Sequence, residues 1–128
     1  MTQIADDPKP ATDHTLILSS RVIGTAVFDR AGNQLGHVDD LSIDKASGRV
    51  LYAIMSFGGF LGIGERFHPV PWALLDYAPG RGGFVVPLDR NILKDAPNYD
   101  AVELRNLGGP SYRSYSDIIF GYYGAPPW

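Results

Sequence analysis

Cysteine is absent from this 128-residue chain, which excludes disulfide staples, thiolate nucleophiles and zinc ribbons together. Charge of either sign is scarce. Eleven basic side chains stand against fourteen acidic ones, and Asp6, Asp7 and Asp13 against Lys9 place −2 of the net −3 in the first fourteen residues, leaving −1 for the rest. No basic stripe could neutralise several phosphates, so nucleic acid is not expected as a ligand. Long apolar runs are missing too. Nothing approaches the ~20 apolar residues of a membrane span, so no integral span is expected. The first residues carry neither the positive nor the apolar region of a signal peptide, and a cytoplasmic setting is the expectation. Residues 1–17, proline- and aspartate-rich as far as His14, read as a flexible leader.

What remains is long enough to bury a core without staples. Short candidate strands recur between turn signals, the all-β pattern. Val22 to Phe28 is a first strand and Asp29 to Asn33 a turn. Leu35 to Ile43 is a second strand, in which Asp39 and Asp40 break the alternation between Val38 and Leu41 and predict a bulge. Arg49 to Phe57 is apolar on both faces, so it belongs in the centre with its second face covered. Arg66 to Val70 and Phe84 to Leu88 are further strands, the last placed at an edge or irregular closure by Pro87. Asp89 is the expected cap of a short helix, Arg90 to Lys94, which Pro97 stops.

Residues 56–72 carry the clearest signal. Gly58, Gly59, Gly62 and Gly64 alternate with apolar residues, too many glycines for a strand interior, where each costs roughly 0.5–1 kcal/mol. A wide structural loop is expected, delivering Pro69 to Trp72 into the fold. Pro71 should open a single helical turn, and Trp72 should plug the core, where truncation to alanine would cost roughly 3–5 kcal/mol.

With its order and spacing, the series Val22-Ile23-Gly24, Gly32-Asn33-Gln34-Leu35-Gly36, Asp39-Asp40-Leu41, Gly48-Arg49-Val50-Leu51-Tyr52-Ala53 and Pro69-Val70-Pro71-Trp72 resembles the PRC-barrel. That domain is shared by the cytoplasmic part of the photosynthetic reaction-centre H subunit and by a ribosome maturation factor. The likeness covers residues 18–97 and is nearest to stand-alone bacterial members. It implies a mainly β fold: a small barrel of five to six short strands with short helical turns, here followed by a helical, aromatic extension at 98–128. The H subunit's membrane helix and the maturation factor's second barrel have no counterpart in this sequence. The resemblance implies a binding module and no catalytic activity.

Each chemical motif has a plainer competitor. Gly59 to Gly64 echoes a dinucleotide fingerprint, but Glu65-Arg66-Phe67-His68-Pro69 cannot begin the required helix and no Lys-Ser/Thr follows for a P-loop. His37 and His68, with Asp39, Asp40 and Asp44 nearby, could be imagined around a divalent ion, yet nothing in their spacing makes them converge. Asp39 and Asp40 should face opposite sides of a strand, and no serine or threonine stands in a nucleophile elbow. Neither enzyme activity, a cofactor nor a metal is expected.

The aromatic C-terminus is the best functional lead. Six of the fifteen aromatic residues (Tyr112, Tyr115, Phe120, Tyr122, Tyr123 and Trp128) occupy the last seventeen positions. Tyr112, Tyr115, Ile118 or Ile119, and Tyr122 follow a helical spacing, with Ser111 as N-cap and Gly121 and Gly124 as stops. Such a helix must bury its face, on its own barrel or on a second subunit. The expectation is a non-catalytic protein-interaction module, self-associating as a homodimer or adapting an unidentified protein, with Phe60 and Leu61 of the glycine loop joining the tail as recognition surface. The alternative is a regulatory barrel that binds a small ligand or metal through Gly58 to Gly64, His37 and His68.

Overall fold

The structure, a computed structural model, describes residues 16–57 and 66–125. Gly58, Gly59, Phe60, Leu61, Gly62, Gly64 and Trp128, all named above, lie outside the described residues. The chain runs through helix α1 (Ser19–Val22), strands β1 (Ala26–Phe28), β2 (Gln34–Ile43), β3 (Val50–Ser56) and β4 (His68–Pro71), and a 3-10 turn at Trp72–Leu74. It continues through β5 (Asp76–Ala78), a 3-10 turn at Pro79–Arg81, β6 (Gly83–Val85), helices α2 (Arg90–Lys94) and α3 (Ala101–Arg105), a 3-10 turn at Asn106–Gly108, and helix α4 (Tyr112–Tyr123).

Six strands form one mixed sheet in the order β4-β3-β2-β1-β6-β5. Neighbours are antiparallel except for the parallel pair β1 and β6. The described ladders form an open series, with no pairing between β4 and β5, so a closed barrel is not seen. The sheet is nevertheless strongly curled. A flat six-stranded sheet would hold its outer strands about 24 Å apart, whereas the five steps from Pro71 to Asp76 span at most ~18 Å fully extended. Joining the two outer strands by four residues forces the curl.

Inside it lies the main core, with Val27, Leu35, Val38, Ala53, Met55, Val70, Phe84 and Val86 among its buried members. β3 is central, as its apolar sequence requires: Ala53 and Met55 enter this core while Tyr52 and Ile54 enter a second cluster on the other face. The bulge falls where the aspartates predict it, since the register jumps from Val38 opposite Met55 to Asp40 opposite Ile54. Gly36 on β2 is demanded by close approach, because a Cβ there would strike the Ser56 carbonyl and the Phe57 ring.

Several expected boundaries are corrected. The first strand starts late: Ser19–Val22 is helical, and Gly24, at φ 89°, turns the chain while its N–H reaches the Val38 carbonyl at 2.6 Å. The strand proper is Ala26–Phe28, with Thr25 just before it accepting from the Val38 N–H at 2.9 Å. The strand expected at Arg66 to Val70 is His68–Pro71, and that expected at Phe84 to Leu88 is Gly83–Val85, with Pro87 left beyond the ladder. β5 has no period-2 signature and was not expected. Pro71 closes β4 and caps the following turn rather than opening it. Trp72 is only partly buried, its ring edge-on to Phe84 at 5.7 Å and 65°, so it leans on the core margin and does not plug it. Asp89 does cap α2, its carboxylate accepting from the Ile92 N–H at 2.9 Å.

Candidate interaction site

The outer face of β3 is where the C-terminal segment is brought to the sheet. Tyr52 and Ile54 project from it, and Leu107, Ile119 and Phe120 close over them. The Tyr52 and Phe120 rings stand 5.4 Å apart, tilted by 34°. Tyr99 and Tyr115 meet edge to face at 5.5 Å on the margin of the same cluster. α4 forms because Pro110 and Ser111 free its first turn and because Gly124, left-handed at φ 68°, ends it with its N–H on the Phe120 carbonyl. Ser111 holds the N-cap position without a side-chain capping bond.

The buried stripe of α4 is Tyr115, Ile119, Phe120 and Tyr123, a shift from the face expected. Tyr112, Ile118 and Tyr122 are 46%, 56% and 41% exposed. Spacings of three and four admit both faces; the choice follows from Ile119 and Phe120, adjacent in sequence, which only a stripe centred on i, i+4 and i+8 can bury together. Of the recognition residues named in the sequence, Tyr115, Phe120 and Tyr123 are thus brought together on the sheet. Tyr112 and Tyr122 are left on the surface.

Burial raises the phenol pKa values of Tyr52, Tyr99 and Tyr123, so these rings are neutral at ordinary pH. Tyr122 donates from its hydroxyl to the Ile92 carbonyl at 2.6 Å, and the Tyr123 hydroxyl is buried with no hydrogen-bond partner among the described residues. The stretch leading into α4 is fixed separately. Phe67 and Tyr99 exchange both backbone bonds, at 2.8 and 2.9 Å, and Arg66 donates from Nε to Asn98 Oδ1 at 2.7 Å. Asp100 and Glu103 form a reciprocal capping box for α3. Tyr99, Leu104 and Leu107 were missed as members of the site. The Asp-x-x-Glu signature at 100–103 was the available signal for the helix that carries Leu104.

The sheet edges limit what this site can receive. Pro69 and Pro71 stand opposite Ile54 and Tyr52, and since proline cannot donate, the β3–β4 ladder runs through His68 and Val70. The outward positions of β4 are therefore 67, 69 and 71: Phe67 already pairs with Tyr99, and the other two lack an N–H. Beyond Val38 the β1 side of β2 is also open, but there the Leu41 N–H is taken by its neighbour's carboxylate, Asp40 Oδ1, at 2.8 Å.

The residues considered for chemistry are placed apart. His37 and His68 sit opposite Ser56 and Met55, consecutive residues of β3 whose side chains leave opposite faces. His37 Nε2 lies 3.0 Å from Asp39 Oδ1 and 3.2 Å from Ser56 Oγ. Both contacts fall on one nitrogen, whereas a triad histidine takes the serine proton on one nitrogen and is oriented through the other. His68 is 3% exposed, with the Phe57 ring edge-on at 4.7 Å. Burial, then the nearby Arg66 charge, lowers its pKa to about 4, so it is a neutral core residue. Asp44 holds the β2–β3 turn through Ala46 and Ser47. Among the described residues no three His, Asp or Glu side chains gather as a metal would need. An open cleft of about 280 Å³ lies between Asp29, Arg30, Leu88, Asp89 and Ile92. Its carboxylates are committed to the chain's own turns, Asp29 to Asn33 and Asp89 to Ile92.

Among the described residues, no helix is long and apolar enough to cross a membrane. No curated protein matches the chain. Residues 14–91, more than half of the chain and including every strand of the sheet, match the family model of the PRC-barrel domain, and the protein belongs to the PRC-barrel family.

Proposed function

We propose that this PRC-barrel protein is a non-catalytic protein-interaction module that associates with itself as a homodimer. In this reading residues 18–97 are the barrel unit, acting in the cytoplasm, and 98–128 supply the recognition surface. The observation that carries it is the two-sided α4. One aromatic face is seated on β3, while Ile118 and Tyr122 stay exposed on its flank and Tyr112 is exposed in its first turn. Neutral phenols and aliphatic groups at a surface favour partner burial, here with the Arg113 guanidinium 5.3 Å from the Tyr112 ring centre. Closure of the curled sheet into a barrel belongs to the same proposal, with Trp72 and Leu74 of the β4–β5 connection lying across the gap against the core.

The competing reading, a ligand or metal barrel built on Gly58 to Gly64 with His37 and His68, loses support because the two histidines leave opposite sheet faces. Sedimentation equilibrium of the full chain over a wide concentration range tests the proposal. A mass that rises from one chain to two supports it; a single-chain mass throughout removes self-association.

A further inference from the structure

We draw no further inference here: the strongest candidate, the open cleft between the β1–β2 turn and α2 that continues through Ile92 to the exposed Tyr122 and Ile118 of α4, carries nothing because Asp29 and Asp89 line it beside Arg30 and leave no charge to name an occupant, so nothing in the structure shows what covers it.

Discussion

His68 gives the sharpest physical prediction, because it is a titratable group built into the core. Its pKa falls from 6.5 to about 4 on folding, through burial first and the Arg66 charge second. For a base with a depressed folded-state pKa, the unfolded chain binds the proton more tightly. Stability is therefore full above the unfolded value and is lost as pH falls from 6.5 toward 4. Each tenfold difference in proton affinity between the folded and unfolded chain is worth about 1.4 kcal/mol. Integrating between those values gives a loss of about 2 kcal/mol between roughly pH 7 and pH 5, and about 3 kcal/mol by roughly pH 4. Asp29 and Asp44, whose pKa values are lowered from 3.8 by hydrogen bonds to their own turns, also favour the native state at higher pH. Their effect lies at and below 3.8, so the interval down to roughly pH 5 isolates the histidine. The assay is urea unfolding of the wild type and of His68→Gln at several pH values, with the difference between the two chains as readout. The wild type should lose its advantage as pH falls. A difference that stays flat across the interval, or a folded-state His68 ring signal titrating near the ordinary 6.5, would refute the account.

The remaining predictions concern packing and backbone. Ile119→Ala, at a fully buried position under α4, should lower the unfolding free energy by about 2–5 kcal/mol in urea. Gly36→Ala and Gly83→Ala should fail to give a cooperative transition in a thermal scan, because each new methyl would strike backbone, the Ser56 and Ala26 carbonyls respectively. Gly121→Ala should do the opposite, raising stability by about 0.5–1 kcal/mol, since the site is helical and open. Asp100→Ala should cost about 1 kcal/mol through loss of the capping box, seen as faster amide exchange in α3.

The parts of the fold legible in the sequence were those set by local rules. The Asp39–Asp40 break in alternation marked the bulge, the doubly apolar Val50 to Met55 marked the central strand, and Asp89 marked its helix. Where a boundary depended on what the chain meets in three dimensions, the pattern was silent. Val22 and Ile23 are β-branched and look like strand, yet Val22 is the buried end of a helical turn because Gly24 must reach the Val38 carbonyl. β5, only three residues long, is a strand because β6 lies beside it, not because of its composition. At the site, the existence of an aromatic helix was legible from Tyr112 to Gly124. Its buried face was not, since helical spacing alone cannot say whether Ile118 or Ile119 meets the sheet. That was decided by Tyr52, far away along the chain.

The edges bear on how such a sheet can recognise anything. A strand added to β4 would need to exchange donors with positions 67, 69 and 71, and the first is spent on Tyr99 while the others are prolines. A strand added to β2 beyond Val38 would have to displace Asp40 from the Leu41 N–H and would meet two aspartates beside the bulge. Both devices are ways in which sheets avoid pairing edge to edge. Backbone pairing is thus disfavoured along β4 and beyond Val38 on β2, which leaves the outer edge of β5 and side-chain burial on a sheet face. The outer face of β3 is such a surface, apolar and central, and α4 already demonstrates what fits it.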